Sequence, residues 1–244
     1  MTNNIAVSVV VPVKDEAGNA AALAREIAGV LQASRPGAHE ILFIDDGSTD
    51  STVAELMALR AELPQLRVIS HGRNLGQSRG VRTGVQHARG GLIVTLDGDG
   101  QNDPADIPKL LALFEQGSQR LGMVAGQRLK RQDTWRKRMA SRYGNAVRRW
   151  TLGDDARDTG CGLKAIRRDV YLDLPYFDHM HRYLITLVMR ENHEVQFVDV
   201  GHRARGAGIS KYGVWDRALV GMSDLLGVVW LKRRFRGPAD TKEL

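Results

Sequence analysis

Two acidic turns hold the residue types best suited to chemistry in this chain. Asp97 and Asp99 stand one residue apart in Asp97-Gly98-Asp99-Gly100-Gln101, just past an apolar run. A turn there aims both carboxylates, with the Gln101 amide, at one hard cation; oxygen donors of this kind suit Mg2+ or Mn2+ shared with substrate phosphates. Asp and Gly also dominate ordinary turns, so by residue type alone a plain turn reads equally well. Asp45-Asp46-Gly47-Ser48-Thr49-Asp50 offers a similar pair of readings. It is either a capped strand-to-helix turn or a carboxylate site for a nucleobase N–H or a ribose hydroxyl. Lys14-Asp15-Glu16 forms a third polar cluster. Neither Gly-x-Gly-x-x-Gly after the first apolar run nor a Gly-Lys-Ser/Thr loop occurs, which disfavours dinucleotide and P-loop chemistry.

These clusters need elements to bring them together. The apolar run from Ile5 to Val13 reads as a buried parallel strand. The spacing of Leu23, Ile27, Val30 and Leu31 predicts a helix over 19–34. Further strands are expected at 40–44, 67–70 and 92–96, with helices at 51–63 and 77–88 between them. Strands separated by single helices imply right-handed crossovers and an α/β fold, a mostly parallel central sheet with helices on both faces. Ligands of such sheets sit beyond the carboxyl ends of the strands, where all three clusters fall.

The composition fits a folded globular body: 244 residues, 43% hydrophobic, 26% charged, with a formal net charge of +7. That balance predicts attraction to phosphates, nucleic acid or an anionic membrane. The single cysteine, Cys161, excludes an intrachain disulfide and an all-cysteine zinc site, and fits a reducing cytoplasm. No secretory signal is expected at the start. The stretch from Arg128 to Arg149 is strongly basic, with Trp135, Met139, Tyr143, Val147 and Trp150 on one helical face. It reads as a basic amphipathic helix packed on the sheet or, by composition alone, as a solvated basic face. No nucleic-acid-binding signature accompanies it, so a nucleic-acid partner is not expected. Residues 195–200 read as a late strand.

Residues 215–236 predict a C-terminal amphipathic helix, with Leu219, Met222, Leu225, Leu226, Val229 and Trp230 near one face and a basic end, Lys232-Arg233-Arg234-Phe235-Arg236. Three roles stay open: lying in a membrane interface, docking on the protein's own core, or meeting an integral membrane partner. The apolar stretch 218–231 is shorter than the roughly 20 residues that a membrane span needs.

Taken in order, Val11-Pro12-Val13-Lys14-Asp15-Glu16, Asp45 to Asp50, Asn74-Leu75-Gly76 and Asp97 to Pro104 resemble family-2 glycosyltransferases of the GT-A type. The likeness continues through Gly126-Gln127-Arg128, Ser141 to Asn145, Asp158 to Lys164 and Gly208 to Tyr212, and there resembles the branch that makes polyprenyl-phosphate and dolichyl-phosphate sugars. It implies a GT-A catalytic domain over 1–212, with 213–244 as the amphipathic helix and basic tail. It also implies a UDP- or GDP-linked sugar as donor and a polyprenyl phosphate as acceptor. Pro12, Glu16 and Asp46 match positions that contact the nucleoside; Asp97, Asp99 and Gln101 match those around Mg2+ or Mn2+. Arg128, Ser141, Arg205, Ser210 and Lys211 match polar or basic positions around the phosphates. Where family members often have Tyr-Asn, this chain has Lys14-Asp15, which leaves the base open.

The resulting expectation is an inverting, metal-dependent transfer to polyprenyl phosphate, for cell-envelope glycan or lipid modification. It would take place at the cytoplasmic face of the membrane, on a peripherally associated protein. Transfer to a glycan hydroxyl, and a catalytically silent nucleotide-sugar binding module, are the alternatives.

Overall fold

A computed structural model describes residues 5–128, 151–153, 156, 158–203 and 214–237. Ser141, Arg205, Ser210, Lys211 and the basic stretch from 129 to 150 lie outside the described residues.

The first half alternates as expected: β1 (Val7–Val13), α1 (Asn19–Ser34), β2 (His39–Asp45), α2 (Thr52–Ala58) with a 3-10 turn at Leu59–Ala61, β3 (Leu66–Ser70), α3 (Gln77–His87) and β4 (Leu92–Thr95). There follow α4 (Ile107–Gln116), β5 (Leu121–Arg128), β6 (Lys164–Arg167), α5 (Arg168–Asp173), α6 (Leu184–Arg190), β7 (Glu194–Val200) and α7 (Val214–Arg234). The seven strands form one sheet in the order β3-β2-β1-β4-β6-β5-β7. All neighbours are parallel except β6, which runs antiparallel to both β4 and β5.

Successive strand residues point to opposite faces, so the valine run of β1 feeds two cores. Val9 and Val11 pack with Phe43 and the buried face of α1, including Leu23, Ile27 and Leu31. Val10 packs on the other side with Leu42, Ile44 and the α3 residues Val81 and Val85. A Cβ on Gly84 would lie 2.2 Å from Val10 Cγ1, so only glycine lets α3 press this close to β1.

Register then aligns the turns. Val13 pairs with Asp45 and Val10 with Thr95, so the chain leaves β1, β2 and β4 side by side. Asp46 and Asp97 emerge flanking the end of β1.

The C-terminal helix forms, but its apolar residues do not share one face. Val228 is fully buried, and Leu225, Val229 and Leu231 pack on the α3 side of the sheet core. Met222, Leu226 and Trp230, four residues apart, are exposed. The helix therefore docks on the protein with one apolar face and turns a second one outward. The docking side is pinned by Tyr183 Oη donating to the Gly221 carbonyl at 3.2 Å, and by Arg190 Nε donating to the Leu231 carbonyl at 3.1 Å. Among the described residues, no helix is long and apolar enough to cross a membrane.

Candidate active site

The carboxyl ends of β1, β2 and β4 open into a cleft of about 370 Å³, lined by Pro12, Glu16, Asp46, Gly76, Asp97 and Asp99 among others. Five residues singled out in the sequence thus meet in one place, and they come from three separate strands. Gln101 belongs to the same turn: its backbone N–H donates to Asp99 Oδ1 at 3.1 Å.

The turns that hold them are laced together by side-chain to backbone bonds. Asp15, in the left-handed region at φ 53°, accepts from the Thr49 N–H at 2.8 Å, and its own N–H donates to Ser48 Oγ at 2.9 Å. Lys14 Nζ donates to the Gly47 carbonyl at 2.9 Å. The Lys14-Asp15 pair therefore fastens the β1 turn to the β2 turn. Asp45 accepts from the Ser48 N–H and from Ser70 Oγ.

Asp46 is buried and already engaged. Its two oxygens accept from the Leu75 and Gly76 N–H groups, each at 2.8 Å, and Oδ1 also contacts His71 Nδ1 at 2.9 Å. A carboxylate has about four lone-pair sites, so most of its capacity goes to holding the 71–76 segment over the cleft. Glu16 accepts from the Asn19 side chain at 3.0 Å.

Asp97 is half-buried between the β4 turn and the backbone of Gly162, where a Cβ would overlap its carboxyl group. Gln77 Nε2, at the start of α3, donates to its Oδ1 at 2.7 Å. Burial pushes its carboxyl above the usual range and the Asp99 charge adds to this, while Lys164, Gln77 and Arg128 pull the other way. Lys164, on β6, is buried, and that burial draws its ammonium down; its Nζ donates to the Cys161 carbonyl. Gly98 sets the approach of the turn, since a Cβ there would lie 2.5 Å from Val13 Cγ1.

Two neighbouring carboxylates with incomplete neutralisation suit a hard divalent cation. Among the described residues no three Asp, Glu, His or Cys side chains converge on one point. Asp97 and Asp99 could hold a divalent cation whose remaining positions phosphate and water would fill.

Arg128 ends β5 and forms a buried fork with Asp158: Nε to Oδ2 at 2.5 Å and a terminal nitrogen to Oδ1 at 2.9 Å. It is a fixed cation, part of whose hydrogen-bonding capacity is used within the protein. Gln77, Lys164 and His181 were not singled out as site residues. Their signal was adjacency: Gln77 follows Asn74-Leu75-Gly76, and Lys164 closes the Asp158 to Lys164 segment. His181 sits beside α3, with its Nδ1 2.7 Å from Ser78 Oγ.

Comparison with known proteins fits this arrangement. The family model "Glycosyl transferase family 2" matches residues 8–174. A dodecaprenyl-phosphate galacturonate synthase of Rhizobium johnstonii is 32% identical over 94% of this chain and 68% of that protein. An undecaprenyl-phosphate 4-deoxy-4-formamido-L-arabinose transferase of Shewanella sediminis is 36% identical over 85% of this chain and 62% of that protein. The chain spans about two thirds of the length of these curated relatives. Among solved structures, glucosyl-3-phosphoglycerate synthase of Mycobacterium tuberculosis, crystallised with Mn2+, uridine diphosphate and phosphoglyceric acid, superposes with a TM-score of 0.69 at 18% identity, covering 98% of this chain and 82% of that one. These neighbours share the GT-A-like fold.

Proposed function

We propose, from a chain that belongs to glycosyl transferase family 2 and is a glycosyltransferase, that it moves a sugar from a nucleotide-diphosphate donor to a polyprenyl phosphate. The observation that carries this reading is the meeting of Asp97 and Asp99 with Pro12, Glu16 and Asp46 in one cleft at the strand ends. The curated relatives, named for polyprenyl-phosphate products, support the acceptor class.

In this reading Pro12, Glu16 and Asp46 form the nucleoside side of the cleft, and Asp97 and Asp99 face the diphosphate. Mg2+ or Mn2+, held by Asp97 and Asp99 with Gln101 beside them, would supply Lewis-acid stabilisation of the departing phosphate. Gln77 keeps the Asp97 carboxylate oriented, and Arg128, fixed by Asp158, adds preorganised positive charge. Ser141, Arg205, Ser210 and Lys211 are assigned to the phosphates by resemblance alone.

The acceptor phosphate oxygen forms the new bond to the anomeric carbon as the bond from that carbon to the β-phosphate oxygen breaks. The electron pair leaves on the nucleoside diphosphate. A phosphate monoester has its second pKa near about 6, so it attacks as a dianion and needs no strong general base. One in-line displacement inverts the anomeric centre.

The lipid acceptor gives the outward face of α7 a purpose. Met222, Leu226 and Trp230 are exposed beside Lys232, Arg233 and Arg234, a pattern that suits the anionic inner face of a membrane. In this reading the division at 212/213 separates catalysis from attachment.

The test incubates the protein with Mn2+ or Mg2+, a panel of UDP- and GDP-sugars and a short polyprenyl phosphate, and reads the lipid by mass. A gain of one sugar, of inverted anomeric configuration, is the expected product. Sugar transfer to hydroxyl acceptors with none to the lipid would overturn the acceptor, and a retained configuration would overturn the single displacement. Binding to anionic liposomes at low salt tests α7.

A further inference from the structure

A second, smaller cavity of about 130 Å³ lies beside the donor cleft, and Gln77 and Asp97 line both. A group attached to a diphosphate at Asp97 and Asp99 has this space next to it. Much of its wall is buried and apolar, from Val81, Leu96, Cys161 and Leu184.

The charges in this wall are unevenly matched. Among the described residues its ionic side chains are Asp97, Lys164 and Arg182. Lys164 is buried, and its ammonium carries N–H donors beyond the one given to the Cys161 carbonyl. Arg182 is exposed, and its guanidinium has no hydrogen bond or ion pair among the described residues. His181 adds no charge, because burial pushes its imidazole down to about 3. Once Asp97 faces a metal and diphosphate, the anion left near Lys164 among the described residues is Asp158, already forked to Arg128, and the Arg182 guanidinium has none. A neutral hexose would leave that imbalance in place, whereas a sugar carboxylate would remove it through charge-assisted hydrogen bonds to Lys and Arg.

Resting on the donor reading above, we infer that this cavity receives the sugar of an acidic donor, a nucleotide-linked hexuronic acid whose carboxylate pairs with Arg182 and Lys164. The acceptor phosphate is also an anion, but it arrives with its polyprenyl chain. A cavity of about 130 Å³, much of whose wall is buried, has no room for that chain.

The experiment measures binding by calorimetry, on the intact protein with Mn2+, of donors paired by base: UDP-galacturonic acid with UDP-galactose, UDP-glucuronic acid with UDP-glucose, and GDP-mannuronic acid with GDP-mannose. In at least one pair the acidic member should bind about tenfold or more tightly, the worth of one hydrogen bond to a charged group. Arg182→Gln, at an exposed position that spares the fold, should erase that preference while bare UDP or GDP still binds. Equal or tighter binding of the neutral member in every pair overturns the inference and leaves the donor reading standing. So does a preference that survives Arg182→Gln. If neither the sugar nucleotides nor UDP and GDP bind, the donor reading itself falls and takes this inference with it.

Discussion

The sheet buries carboxylates at both ends of its strands and treats them in opposite ways. At the amino end, Glu40 is 3% exposed and accepts from Ser8 Oγ at 2.7 Å, the Arg89 N–H at 2.6 Å and the Arg67 guanidinium at 2.6 Å. Burial alone would raise its carboxyl, but these donors outweigh it and hold the group below its ordinary range. At the carboxyl end, Asp97 is raised by burial and by Asp99, and its partners do not make up the difference. The same chemical group is a finished structural element at one end and an unfinished one at the other. Deficits of this kind concentrate at functional sites, where a ligand completes what the fold leaves open.

The largest effect should come from changing the unfinished end. Asp99→Asn keeps an oxygen to accept the Gln101 N–H but removes a charge from the cleft. Metal-dependent turnover is expected to fall about 10²–10³-fold. Urea unfolding should shift by about 0.5 kcal/mol or less. Equal losses of turnover and stability would erase the contrast and make Asp99 structural.

Asp46 sharpens the comparison, because it lies at the site end yet is satisfied like Glu40. Asp46→Ala takes the acceptor from the Leu75 N–H, leaves the Gly76 N–H with Asn74 Oδ1 alone, and leaves His71 held through its Nε2 contact to Thr83. It should cost about 1–3 kcal/mol in denaturant unfolding, the penalty for a part-buried donor left unpaired. If Asp46 served the nucleoside alone, donor affinity would fall with stability unchanged.

Next in size is Gly98→Ala. Its Cβ would press on Val13 Cγ1 at 2.5 Å and the Pro12 carbonyl at 2.9 Å, so the β4 turn must move off the end of β1. Overpacking of this kind costs about 1–3 kcal/mol. Donor affinity should weaken as well, because Asp97 and Asp99 flank the displaced residue.

The first half of this architecture was legible in the sequence because each strand is a short apolar run followed by one amphipathic helix. The helix at 19–34 and the starts of β2, β3, α3 and β4 fall within a residue or so of expectation. The second half breaks that rhythm. β6 is four residues long, runs antiparallel, and places Lys164 in the interior, so nothing in its hydrophobic pattern announces a strand. The site carboxylates were readable from their turns. Their partners Gln77 and Lys164 were not, because a contact across 20 residues of chain or more leaves no local periodicity to find. The Arg128 fork with Asp158 was hidden for the same reason. On α7 helix period alone puts Met222, Leu225, Leu226, Val229 and Trp230 near one face, whereas they divide between a docked face and an exposed one.

The smallest effect belongs to the finished end and appears only as a dependence on pH. Glu40 has a folded-state pKa below its ordinary value of 4.5, so its contribution to stability is fully present above that value. It is lost as pH falls through the folded-state value, because the unfolded chain takes up the proton first. Glu40→Gln removes the titration and keeps an oxygen for the Ser8 and Arg89 donors, while its NH2 group faces the Arg67 guanidinium. In urea unfolding from pH 7 down to pH 3, the wild-type protein should therefore lose its advantage over Glu40→Gln progressively below pH 4.5. Turnover of both proteins at neutral pH should match, since Glu40 sits beside the first residues of β1 while the cleft opens at the far end of that strand. A drop in turnover without the pH-dependent stability difference would reverse the roles assigned to the two ends.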